Sequence, residues 1–227
     1  MKKFPRLIAF EGSDGSGKAT QSQLLFDRLS KGKIVNVKKI SFPNYDSPSS
    51  ALVKMYLGGE LGDNPNDVNP YAAATFYAAD RFATFQTQLK KDFLSGTTII
   101  ADRYVTSNMI HQAVKIEDPS ERERFLDWLD DLEHEKFKLP RPDLVFYLDM
   151  NPEVSRKLIQ QRGGGSDIHE KDFGYLQKCH AMGLELAKKF SWRIIRCMNR
   201  DELRTTWEIQ DEIFSTIEIS MIERGRR

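Results

Sequence analysis

Gly12-Ser13-Asp14-Gly15-Ser16-Gly17-Lys18 is the stretch of this 227-residue chain whose residue types and spacing most directly imply chemistry. Glycines at these intervals let the backbone curl with its N–H groups pointing inward, and a lysine closing the curl reaches the β and γ phosphates of a nucleotide. Leu7 to Phe10, just before it, is a short apolar run, and Gln21 to Leu29 carries Leu24, Leu25, Phe26 and Leu29 at helical spacing. The loop therefore joins a strand to a helix amino terminus, whose dipole adds positive potential. Gly12, Ser13, Asp14, Gly15, Ser16, Gly17, Lys18, Ala19 and Thr20 form the expected triphosphate cradle. A plain glycine-rich turn with an exposed lysine explains loose matches better than this seven-residue one.

Ala19 stands where the loop pattern expects a serine or threonine hydroxyl for magnesium. Thr20 does not simply replace it, because adjacent helical residues point about 100° apart. Magnesium instead rests on phosphates, water and a carboxylate, with Asp14, Asp102 and Glu170 as candidates. Asp102 ends the run Thr98 to Ala101 and Asp149 ends Leu144 to Leu148, and strand carboxyl ends face the ligand crevice in open α/β sheets. For Asp149, capping a helix before Pro152 competes. Arg103 follows Asp102, and its planar fork suits a phosphate better than a lysine would, with an ion pair to a carboxylate as the alternative role.

The elements that must hold these residues recur along the chain. Short apolar runs at residues 7–10, 34–40, 97–101, 144–148 and 193–197 alternate with segments of helical periodicity, the pattern of a parallel sheet covered by helices on both faces. A long insert, about 46–95, contains Pro48, Gly58, Gly59, Gly62, Pro65 and Pro70, and ends in a helix over roughly 70–94. Gly163 to Ser166 separates helices at about 152–161 and 171–190 and reads as the hinge of a closing loop. A final helix is expected over about 204–222.

Taken in order, Phe10-Glu11-Gly12, Phe42-Pro43-Asn44-Tyr45, Tyr77 with Arg81, Asp102-Arg103-Tyr104, Ser107-Asn108 and Pro142-Asp143-Leu144 before Leu148-Asp149 resemble the thymidylate kinases over nearly the whole chain. The resemblance implies a P-loop kinase fold, α/β, with a five-stranded parallel sheet, a mobile lid at about 162–171 and one domain spanning 1–227. It further implies transfer of the γ-phosphoryl group of ATP to dTMP with Mg2+, in a homodimer built through helices near the insert. Tyr77 and Arg81 match the aromatic and the arginine that hold the thymine ring, and spacing of four places both on one helical face. Core packing for Tyr77 and a solvated position for Arg81 are the alternatives.

Arg103 matches the arginine on the acceptor phosphate, with Phe42 in the adjoining motif and Tyr45 as a second phosphate contact. An arginine common nearby is replaced by Asn44. Asn108 and Gln112 match positions near base or sugar, His111 falls where an aromatic ring meets the deoxyribose, and Ser107 is either a substrate contact or bonded to its own turn. With Gly15 and no arginine in the loop, the resemblance puts the lid charges on Arg162, Arg156 or Lys171, although Ile168 stands where many such members have arginine. His169 reads as a capping or surface residue.

A formal charge of +1 supplies no broad field for long nucleic acid, so an anion must be held locally. No membrane-spanning run or signal peptide is recognised, which together with two cysteines outside any metal spacing, Cys179 and Cys197, points to reduced thiols and the cytoplasm. Other deoxynucleoside monophosphate kinases, and a nucleotide-binding regulator with weakened activity, are the competing readings. No Asn-Lys-x-Asp tetrapeptide supports a GTPase.

Overall fold

A computed structural model describes residues 4–162, 168–200 and 202–224, without the side chains of Arg162, Glu170, Lys171 and Arg224. Five strands, β1 (Leu7–Gly12), β2 (Val37–Ser41), β3 (Thr98–Asp102), β4 (Leu144–Asp149) and β5 (Arg193–Arg196), form one sheet in the order β2-β3-β1-β4-β5. Every pairing within it is parallel. The expected runs are therefore strands, shifted by up to three residues at their ends. A short antiparallel hairpin of β6 (Met198–Asn199) and β7 (Glu202–Leu203), not foreseen from the sequence, leads into the last helix.

Alternation along the central strands divides the core between two faces. Leu7 and Ala9 of β1, Ile99 and Ala101 of β3, and Val145 and Tyr147 of β4 pack against one helical layer. Helices α3 (Pro70–Thr84), α5 (Val105–His111), α6 (Pro119–Asp130) and α9 (Phe173–Lys189) contribute to that layer. Ile8, Phe10, Ile100, Phe146 and Leu148 point the other way, onto Leu25 and Leu29 of α1 (Lys18–Lys31) and Ile209, Ile213 and Ile217 of α10 (Thr206–Arg224). Both faces of these strands are dry, which is why they read as unbroken apolar runs. Asp143 anchors the sheet's lower edge, its Oδ2 accepting from the backbone N–H of Arg6 at 2.6 Å and of Leu7 at 3.1 Å.

The insert folds as α2 (Ala51–Leu57) and the long α3, which runs through a wide turn at Phe85–Leu89 into α4 (Lys90–Leu94). Helix α6 likewise continues through a wide turn, Asp131–Lys136. After α7 (Pro152–Arg162), residues 163–167, with the expected hinge, lie outside the described residues. Beyond them α8 (Ile168–Lys171) seats Ile168 against Tyr56 and Ala73 of the insert. Cys179 and Cys197 are free and buried, with burial raising both thiols to about 12.

Candidate active site

Carboxyl ends of β1, β2 and β3 open on one cavity of about 290 Å³. Asp14, Gly15, Gly17, Lys18 and Ala19 line one side, while Phe42, Tyr45, Tyr77 and Arg81 line the other. Arg103 and the α5 residues Ser107, Asn108, His111 and Gln112 contribute to the same wall, as does Asp102. The loop and the base-reading residues expected from the sequence therefore meet in one space. Gly12, Ser13, Ser16 and Thr20 support the loop from outside it: Ser13 lies with its Oγ 3.3 Å from Ser155 Oγ, and Thr20 faces solvent. Thr20 thus offers no hydroxyl in place of the one missing at Ala19.

The loop geometry demands glycine at Gly15, where φ is +78° and an added Cβ would come within 2.7 Å of the Ser155 carbonyl. Lys18 Nζ donates to the carbonyls of Gly12 at 2.9 Å and Ser13 at 2.8 Å, and lies 3.6 Å from Asp14. Burial and the neighbouring Arg103 lower the lysine's pKa, against the pull of Asp14, Asp102 and Glu11.

Arg103 emerges from β3 with φ +67°, a left-handed turn unusual for a side-chain-bearing residue. That turn throws the guanidinium back toward the loop, where Nη2 pairs with Asp14 Oδ1 and Nη1 donates to Ser107 Oγ at 3.3 Å. Burial alone would lower the Arg103 pKa and raise that of Asp14, but their mutual attraction, with Glu11 and Asp102 beside the arginine and Lys18 beside the aspartate, wins for both. The pair stays ionised. Glu11, absent from the site foreseen in the sequence, holds the turn. Its Oε1 accepts from Tyr104 N–H at 3.0 Å and Thr106 Oγ at 2.6 Å, and its Oε2 from Ser107 Oγ at 2.7 Å. Burial raises the Glu11 pKa, opposed by Arg103 and these donors. A glutamate directly before the first loop glycine was the available clue.

On α3 the solvated alternative for Arg81 is set aside. Arg81 is 2% exposed rather than solvated, and Glu133 grips it with Nε to Oε2 and Nη2 to Oε1 both at 2.6 Å. It still borders the cavity, as does Tyr77, whose ring meets Tyr56 edge-on at 6.3 Å. Asn44 turns away from the cavity wall, its N–H donating to Asp80 at 2.8 Å and its Nδ2 to Thr84 at 3.2 Å. Asp149 neither lines the cavity nor caps α7: it takes a 2.8 Å bond from His180, while Asn151 Oδ1 accepts from the N–H of Glu153. Arg156 lies over the Phe173 ring at 4.9 Å. The side chains of Arg162, Glu170 and Lys171 lie outside the described residues.

His169 departs most from expectation. It is 5% exposed, borders the cavity, and stacks on His111 with centroids 5.6 Å apart and planes 6° from parallel. Tyr56 Oη joins them to the insert, lying 2.9 Å from His169 Nε2 and accepting from Lys115 at 2.8 Å. Burial and the Lys115 charge take His169 down to about 3. For His111, Arg103 can only donate to Nε2, which fixes the proton on Nδ1, facing Cys179 Sγ at 3.5 Å. Burial, then Arg103 and His169, push the His111 pKa well below its ordinary 6.5.

A histidine kept neutral only in the folded state contributes stability above its unfolded pKa and loses it as pH falls. The unfolding free energy of wild type relative to His111→Phe is therefore expected to shrink as pH drops from 7.5 through 6.5 to 5. Urea titrations of both proteins at each pH test this, and a difference independent of pH would contradict it.

A parallel sheet carrying a glycine loop at the end of its central strand, faced across one cavity by a buried guanidinium and an aromatic, amide-lined pocket, defines a P-loop nucleotide phosphotransferase. The chain belongs to the thymidylate kinase family, whose model, described as Thymidylate kinase, matches residues 10–213. The thymidylate kinase of Mycobacterium tuberculosis is 30% identical over 80% of this chain and 85% of that protein. That of Dictyostelium discoideum is 29% identical over 92% and 82% respectively. Among solved structures, the thymidylate kinase of Candida albicans shares the fold with a TM-score of 0.71 and 24% identity, over 95% of this chain and 92% of that one.

Proposed function

We propose that this enzyme phosphorylates dTMP to dTDP by direct in-line transfer of the γ-phosphoryl group of ATP. The observation that carries this reading is the single cavity bordered by Lys18, Arg103 and Tyr77, which lets donor and acceptor phosphates approach one another. Lys18 and the inward N–H groups of the loop hold the triphosphate. Arg103, aided by Tyr45 and Ser107, aligns the acceptor phosphate, whose oxygen attacks the γ phosphorus as the bond to ADP breaks. Tyr77 and Phe42 form the walls for the base, Arg81, Asn108 and Gln112 read its edge, and His111 lies beside the sugar. No covalent enzyme intermediate is required.

Asp102 suits magnesium: its carboxylate borders the cavity without a hydrogen bond among the described residues, whereas Asp14 is committed to Arg103 and Lys18. Asp102 would hold the ion together with nucleotide phosphates and waters. When bound, Mg2+ neutralises charge on the transferring phosphates. The lid charge falls to Arg162 in this reading, in a homodimeric cytoplasmic enzyme of one domain. No helix among the described residues is long and apolar enough to cross a membrane.

A coupled ADP-release assay across nucleoside monophosphates tests the proposal. Turnover is expected to be fastest with dTMP, to vanish with EDTA and to return with excess Mg2+. Tight ATP binding without transfer to any monophosphate would favour a regulator instead.

A further inference from the structure

Glu133 lies in a run of acidic residues with Asp130, Asp131 and Glu135. The wide turn that ends α6 changes its direction: Glu133 is fully buried while Asp131 and Glu135 remain exposed. Its carboxylate takes two of the three guanidinium nitrogens of Arg81 and also accepts from Asn108 Nδ2 at 3.3 Å. The same Nδ2 donates to the Ala74 carbonyl at 3.0 Å. Both neighbours of that amino group can only accept, so the orientation of the Asn108 amide is decided by chemistry.

What remains for a ligand is a fixed pattern. Arg81 keeps Nη1 and Asn108 keeps Oδ1, neither with a hydrogen bond among the described residues, and both side chains border the cavity. Gln112 adds an amide that is fully buried, borders the same cavity and has no partner among the described residues for either Nε2 or Oε1. One set donor and one set acceptor, with a second amide able to turn, complement a base edge that presents a carbonyl beside a ring N–H. They oppose an edge that presents an amino group beside a bare ring nitrogen.

We infer that Glu133 is a positioning residue that sets this polarity, and through it the choice of a 4-oxo over a 4-amino pyrimidine. The inference rests on the kinase reading above. Glutamine at this position turns one acceptor into a donor, which leaves the Ala74 carbonyl as the one acceptor still holding the Asn108 amino group and weakens the preference for this amide orientation.

The clean comparison is dUMP against dCMP, which differ only at that edge and share the absence of the methyl group. Wild type is expected to favour dUMP in kcat/KM by at least about 100-fold, as sites built around a buried hydrogen bond do. Glu133→Gln is expected to narrow that ratio at least tenfold, chiefly through KM of the monophosphate, with KM for ATP unchanged. If Glu133→Gln does not fold, Glu133→Asp, which keeps the charge but withdraws both oxygens, is expected to narrow it in the same direction. A wild-type ratio near one, or an equal loss for both substrates in the folded variant, overturns the inference while leaving the kinase reading intact. Failure of wild type to phosphorylate any monophosphate overturns the kinase reading itself.

Discussion

Arg103→Ala is expected to reduce kcat/KM for dTMP by about a thousandfold or more, the scale associated with removing a cation that stabilises charge in phosphoryl transfer. Stability should change far less. Alanine carries the same left-handed backbone cost as arginine at φ +67°, and Asp14 keeps Lys18 at 3.6 Å when its partner on Arg103 is lost. Arg103→Lys sharpens the test, because it returns the charge without the fork that reaches Asp14 and Ser107 together. Only a small part of the lost rate should come back. Steady-state kinetics alongside thermal melts would decide: an alanine variant within tenfold of wild type would remove Arg103 from the mechanism.

Glu11→Ala should have the largest effect on folding, roughly 3–5 kcal/mol, because it strips a fully buried acceptor from three donors at once. The buried Tyr104 N–H and Thr106 hydroxyl cannot reach water in its place without opening the turn that aims Arg103. Activity is therefore expected to fall with stability. Glu11→Gln keeps the volume and one oxygen, enough for Tyr104 and Thr106, and Ser107 can reverse its hydroxyl to accept from the new amino group. Its cost should be about 1–2 kcal/mol. Urea unfolding with unchanged m-values is the appropriate measure. A loss below 1 kcal/mol for the alanine variant would mean that the donors find other partners.

Much of the fold was legible because it depends on neighbours along the chain. The apolar runs at residues 7–10, 97–101 and 144–148 became strands because a doubly covered sheet needs both faces of each strand apolar, a requirement visible in the residues themselves. The phosphate loop was legible for a similar reason: Gly15 and Gly17 adopt positive φ within a few residues of Lys18. Ile34 to Asn36 were expected in β2 but precede it, since nothing in an apolar run states where pairing with β3 begins.

The polar interior was another matter. Glu133 is one acid among several in its stretch of sequence, and only the wide turn places it on Arg81, 52 positions away. His169 had no local reason to be buried, and its partner Tyr56 lies 113 residues earlier. Glu11 meets its donors across more than 90 residues. Periodicity and turn chemistry are short-range properties, so they specify strands, the loop and which residues gather at the sheet's carboxyl edge. Which carboxylate satisfies which donor depends on desolvation, and a side chain is desolvated only when distant segments close over it.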